Sequence, residues 1–182
     1  SNWLDIKLEY ALPIGAASEK GLIDYRLRNG LLISAPSGGE HWNPLTSGAT
    51  ILTLQQTNRY QSFENEQQKA DFTVHALQFG VLYDNTDFPT NPSVGSSQYL
   101  AVTHDAAWFD SEEKWSVVEF EASKYFSLGP SDHALQRLVA INGWTAYSPS
   151  WELEENAEGE TRPVNDPPFT EGATLGGFYR MR

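Results

Sequence analysis

Between Trp3 and Leu12 the even positions are Leu4, Ile6, Leu8, Tyr10 and Leu12, while the odd ones include Asp5, Lys7 and Glu9. Period-two alternation held over about ten residues specifies a β-strand with one apolar and one polar face. Strands of soluble sheets cluster at ~5–6 residues, whereas crossing a bilayer at a tilt takes ~9–11. Strand length is therefore the strongest constraint on the fold.

The pattern recurs. Pro13 and Gly15 end the first strand, and Ala16 to Gly21 connect it to a second expected over Leu22–Ser34, with Ile23, Tyr25, Leu27, Leu31 and Ile33 on one face. Pro36 and the Gly38-Gly39 pair break that strand. Further strands are expected over Thr50–Phe63, Phe72–Tyr83, Ser97–Trp108, Trp115–Phe126 and Ala134–Tyr147. The connections are the charged Glu64–Asp71, the Asp/Asn/Pro-rich Asp84–Gly95, Ala106–Glu113 and a tight turn at Gly129–Asp132. Ser148–Gly172 reads as a long acidic loop. No segment reads as an amphipathic helix. The expectation is an all-β chain of about seven antiparallel, up-and-down strands.

A hydrophobic content of 40% suits a soluble protein. It also suits a membrane barrel, in which only alternate residues meet lipid. No run approaches the ~18 apolar residues of a membrane helix. A net charge of -12 argues against nucleic-acid binding, and the absence of cysteine removes disulfides and thiolate chemistry. Ser1 opens almost directly onto the first strand, so any export signal is expected to have been removed or to lie outside this chain. Aromatic residues at the strand ends (Trp3, Tyr60, Phe63, Tyr83, Trp108, Trp115, Tyr125, Phe126, Trp144 and Tyr147) fit the interfacial girdles of a barrel. The same rings would also plug the ends of a soluble sandwich.

Two motifs carry a family resemblance. Tyr83-Asp84-Asn85-Thr86-Asp87-Phe88-Pro89, followed by Pro92 and Gly95, resembles a turn between barrel strands in the bacterial surface antigen family, the superfamily of the outer-membrane assembly factors BamA and TamA. Leu175-Gly176-Gly177-Phe178-Tyr179-Arg180-Met181-Arg182 is similar to the opening of that family's lumen-loop motif, with Arg182 at the place of its arginine. The resemblance implies a transmembrane barrel of the Gram-negative outer membrane, of which 1–182 is a part, with 147–182 a long extracellular loop folding into the lumen. Gly176, Gly177, Phe178 and Arg182 would anchor that loop. Asp84, Asn85, Asp87, Pro89 and Gly95 would form a periplasmic turn, together with Gly129–Asp132. The implied work is non-enzymatic outer-membrane protein assembly or polypeptide translocation. Its partners would be outer-membrane lipid or lipopolysaccharide and client polypeptides, with no cofactor.

Candidate chemistry elsewhere has plainer readings. Asp84 and Asp87 with Asn85 could ligate calcium, but Asx-turn chemistry explains the same residues. His41, His75, His104 and His133 lack zinc-type spacing. Glu119 and Glu121 share a strand face, as a glycosidase pair would, or simply hydrate a lumen and meet Arg26 and Arg28 across it. Glu152, Glu154, Glu155, Glu158 and Glu160 could hold ions that bridge lipopolysaccharide, or solvate a loop. Lys124 and Arg137 fall towards strand ends, where a membrane interface tolerates charge. The competing reading is a secreted soluble β-sandwich that binds carbohydrate through Trp and Asp.

Overall fold

The computed structural model describes residues 2–19, 23–64, 69–111, 113–156 and 159–168, apart from the side chains of 63, 64, 69 and 70. The strands are β1 (Asn2–Ala11), β2 (Leu27–Arg28), β3 (Leu31–Leu32), β4 (Ala49–Glu64), β5 (Lys69–Asp84), β6 (Gly95–Ala106), β7 (Lys114–Ser127), β8 (Leu138–Tyr147), β9 (Glu152–Glu155) and β10 (Thr161–Val164). A 3-10 turn spans Gly15–Ala17. Six strands form one antiparallel sheet in the order β1-β4-β5-β6-β7-β8. β2–β3 and β10–β9 are separate hairpins. The described residues are all-β apart from that turn, and their sheet does not close on itself.

The long ladders follow from the period-two pattern. β4 and β5 pair along sixteen residues each, from Ala49↔Asp84 to Glu64↔Lys69. Of the connection expected over Glu64–Asp71, Glu64 belongs to β4 and Lys69–Asp71 to β5. The turns at 85–94 and 128–137, and the described residues of 12–48, lie at one end of the sheet, called here the lower end. The facing ends of β4 and β5 at Glu64 and Lys69, the 107–111 stretch and the residues that follow Tyr147 directly lie at the upper end.

Two expected strands are corrected. Leu22–Ser34 is not a sheet strand, because Asn29 (φ 51°) and Gly30 (φ 79°) reverse the chain and fold Leu27 onto Leu32. Two successive positive φ values make a two-residue hairpin turn, the geometry that Asn-Gly favours. The last sheet strand starts at Leu138 rather than Ala134. Arg137 instead clamps the preceding turn, donating from Nε to Gly129 O (3.1 Å) and from Nη2 to Leu128 O (3.0 Å) and Pro130 O (3.2 Å). The acidic loop after Tyr147 contains the β9–β10 hairpin, with Glu154 opposite Arg162.

Candidate functional site

Antiparallel register places directly opposed residues on the same face. One face runs across the sheet as Leu8–Leu54–Phe79–Val102–Val118–Tyr147 and, one step lower, Tyr10–Leu52–Val81–Leu100–Phe120–Thr145. The opposite face carries Lys7–Gln55–Gln78–Thr103–Val117 and Glu9–Thr53–Gly80–Ala101–Glu119–Ala146. The first is called outer and the second inner.

Burial is inverted relative to a soluble sheet. Fifteen large hydrophobic side chains of the six strands are exposed on the outer face, among them Leu8 (63%), Phe79 (53%), Leu100 (49%) and Ile141 (60%). On the inner face of the same strands Trp3 is the one exposed large hydrophobic among the described residues. Folded soluble monomers rarely leave a contiguous apolar patch larger than a few hundred Å².

The apolar belt is slanted across the ladder. On β1 it runs from Leu4 to Tyr10, centred on Lys7, which faces Gln55 of β4. On β8 it runs from Val139 to Tyr147, centred on Gly143, which maps through Ala122, Gln98 and Tyr83 to Thr50 of β4. From Gln55 to Thr50 the centre drops five residues over five strand-to-strand steps. At ~3.3 Å per residue and ~4.8 Å per strand, this inclines the strands by about 35° to the belt's normal. Closed barrels tilt their strands by ~35–45°.

The inner face is a polar network around a glycine. Tyr99 lies over Gly80, where a Cβ would meet its hydroxyl at 2.7 Å. The Tyr99 hydroxyl donates to Gln78 Oε1 (3.0 Å), and Gln78 Nε2 donates to Thr103 Oγ1 (2.9 Å). Asn142 Nδ2 donates to Glu121 Oε1 (2.9 Å). A concavity of about 290 Å³ is lined by Lys7 of β1, Tyr99 and Glu121 of β7 together, so the inner face is concave. Near the upper end of this face Val74, Ala76, Trp115 and Val117 form a small buried cluster.

The lower end is tied by the Asp84–Gly95 turn. Asp84 Oδ1 accepts from the Thr86 N–H (2.8 Å) and hydroxyl (2.6 Å), and Asp87 Oδ1 accepts from the N–H groups of Ser93 (2.8 Å) and Val94 (3.2 Å). Asn85, 1% exposed, donates through Nδ2 to Gly39 O (2.9 Å) and His41 O (3.0 Å), and its Oδ1 accepts from Ser47 Oγ. Ser37 Oγ donates to Thr86 O (2.9 Å). A Cβ on Gly38 would sit 2.5 Å from the Asn85 carbonyl carbon, so only glycine permits this approach. Gly95 holds φ +109° against the Asn85 carbonyl, and exposed Pro89 opens the 88–91 turn. Phe88 packs on Tyr25 at 5.0 Å between centroids. Burial raises the Tyr25 phenol above its ordinary range, with the Ser37 hydrogen bond opposing and the charges of Asp84 and Asp87 adding to the rise.

At the upper end Asp105, 0% exposed, accepts at Oδ2 from the His75 N–H (2.8 Å) and Ser111 Oγ (2.9 Å), and at Oδ1 from the Ala107 N–H (2.9 Å). The segment after Tyr147 is fastened to β7, since Ser116 N–H donates to Ser150 Oγ (2.8 Å) and Ser148 Oγ to Ser116 O (2.9 Å).

The structure thus gathers Asp84, Asn85, Asp87, Pro89 and Gly95 into one turn and packs Ser37, Gly38 and Ser47 against it. Gly176, Gly177, Phe178 and Arg182 lie outside the described residues, as do Glu158 and the rest of 169–182. Arg26 and Arg28 do not face Glu119 and Glu121: they sit on or beside the β2–β3 hairpin, outside the sheet. Among the expected girdle rings, Tyr60, Tyr83, Phe126 and Tyr147 are on the outer face. Trp3, Trp115, Tyr125 and Trp144 are on the inner face, and Trp108 is in a turn. No side chain is described for Phe63. Among the described residues no three His, Asp or Glu side chains form a group of metal-binding kind. Asp105, the Gly80–Tyr99 contact and the role of Gly38 escape a reading by alternation, although the Gly38-Gly39 pair marks a place where backbone passes close to backbone.

Comparisons of the chain with family models, curated proteins and solved structures find no match.

Proposed function

We propose that this sheet is part of the wall of a transmembrane β-barrel in a bacterial outer membrane, with the outer face towards lipid and the inner face towards a polar lumen. The observation that carries the reading is the exposed, slanted apolar belt on strands of ten to sixteen residues. Water offers no reason to expose Leu, Ile and Phe while polar residues turn inward, whereas hydrocarbon does. The tilt deduced from the belt is the tilt that ring closure demands. Together with the likeness of the Asp84–Gly95 turn to the surface antigen family, this favours a non-enzymatic part in outer-membrane protein assembly or polypeptide translocation.

The test is extraction. The full chain, expressed with an export signal, is expected in the membrane pellet, to leave it only with detergent, and to migrate faster on gels when unheated. Recovery from buffer as a compact monomer with no detergent bound would reject the barrel and leave the soluble carbohydrate-binding sandwich as the better account.

A further inference from the structure

We propose that Trp42 anchors the lower end of the sheet in the headgroup layer of a phospholipid leaflet, taking the girdle place on the outer face expected of Tyr83. The inference rests on the barrel reading above. Tyr83 is the last outer-face residue of β5, yet it is only 7% exposed. Its hydroxyl donates to Ser47 O (3.1 Å), and the Trp42 ring stands edge-on to its ring at 5.4 Å between centroids. Trp42 Nε1 donates to Gln98 Oε1 (2.9 Å), and Gln98 is the residue opposite Tyr83 in the β5–β6 ladder. The excursion between β1 and β4 therefore returns over the outer face of the wall, and Trp42 lies on top of it, 62% exposed.

The slope of the apolar belt sets the depth of this ring. On β1 the belt is centred on Lys7 and ends below at Tyr10, three residues away. Falling one position per strand, its centre passes through Leu54 of β4 to Gly80 of β5 and Leu100 of β6. Tyr83 stands three residues below Gly80, level with Tyr10, at the lower edge of the belt. Beyond it β5 ends at Asp84, and the outer-face position of β6 below Gln98 is Ser96. Tryptophan concentrates where water and hydrocarbon meet, because its ring favours apolar contact while its N–H needs an acceptor. Here Gln98 satisfies the N–H and the ring is turned outward, so it can enter the interface with no unpaired donor. Trp42–Ser47 carries no charged side chain, and Leu45 in the same turn is 71% exposed.

The full chain is placed in nanodiscs of dimyristoyl phosphatidylcholine, and nuclear Overhauser cross-peaks between tryptophan ring protons and lipid are recorded. Trp42→Phe assigns the Trp42 signals by their loss. Trp42 is expected to give its strongest lipid cross-peaks to the glycerol and the first methylenes of the acyl chains, several-fold above those to the chain-terminal methyls. Trp42→Gln should lower the yield of insertion into vesicles of the same lipid several-fold, and Trp42→Tyr should recover most of it. Cross-peaks to water alone, to other protein protons alone, or chiefly to the chain ends overturn the anchor and leave the barrel reading standing. A glutamine variant that inserts as well as the parent does the same. A chain that stays in buffer without lipid or detergent overturns both.

Discussion

The main-chain N–H of His75 donates to the carboxylate of Asp105 at 2.8 Å, at the point where the ladder between β5 and β6 stops. Above the Ala76↔Asp105 pair, β6 turns away through Ala107 and Phe109, both at positive φ, and a side chain takes over the hydrogen bond that a strand would otherwise supply. Buried backbone donors are almost always paired, and here one carboxylate serves two of them and a serine hydroxyl.

Asp105→Ala should therefore lower stability by about 1–3 kcal/mol, because the Ala107 N–H loses its acceptor and the His75 N–H keeps only Ser111 Oγ at 3.1 Å. Asp105→Asn, which keeps one acceptor oxygen, should cost roughly half of that. Denaturant unfolding followed by the fluorescence of Trp115, the register neighbour of Asp105, reads the difference. An alanine variant as stable as the parent would show that the carboxylate does not hold the turn.

Gly38→Ala should detach the 23–48 segment from the lower turn without unfolding the sheet. The added methyl would have to occupy the space of the Asn85 carbonyl. Tryptic cleavage after Arg26 and Arg28 should become at least several-fold faster, while circular dichroism keeps its β signature. Unchanged cleavage kinetics would mean that the contact is easily relaxed.

Tyr25 makes the lower end sensitive to alkali. Its pKa is raised in the fold, so the neutral phenol contributes fully below the ordinary tyrosine value near 10, and stability falls as pH climbs from there through the folded value. Tyr25→Phe should remove that part of the alkaline loss. A pH–stability profile above about 9.5 compares the two proteins, and identical slopes would argue against the burial of the phenol.

Leu54 and Gln55 are chain neighbours on opposite faces of β4. Leu54→Arg should impair membrane insertion by about 2–4 kcal/mol, and Gln55→Arg by far less. In a water-soluble protein Leu54, 47% exposed, would accept arginine almost without cost. Refolding yield into lipid vesicles, scored by the heat-sensitive gel shift, separates the two environments.

Much of the sheet is legible in the sequence because β1, β5 and β7 keep period-two alternation and end within a few residues of their expected limits, whereas the upper half of β4, from Gln55 to Ser62, is polar on both faces. The failures share a cause. Ile23 to Ile33 alternates as a strand would, yet Asn29-Gly30 sits at its centre, and the local preference of that pair for a hairpin outweighs the pattern. Arg137 reads as a strand residue because its role, gathering three carbonyls of a turn, depends on geometry that no spacing encodes. The turn residues Asp84 to Gly95 are recognisable by type, but their partners Ser37, Gly38 and Ser47 lie some forty to fifty residues upstream and are brought there by the register of β4 on β5. For the same reason the direction of the aromatic rings at the strand ends needed the ladder: alternation near an end is short enough to be read in either phase.

The descent of the greasy band by one position per strand has a consequence for how such a wall can grow. A curved ribbon with a fixed pitch joins its own beginning only after a sideways displacement set by the number of staves, and any further staves must inherit the same pitch. Adding or removing a hairpin would widen or narrow the ring while leaving the lean of each stave unchanged. Girth would then be adjustable in steps of two, and the depth of membrane spanned would stay constant.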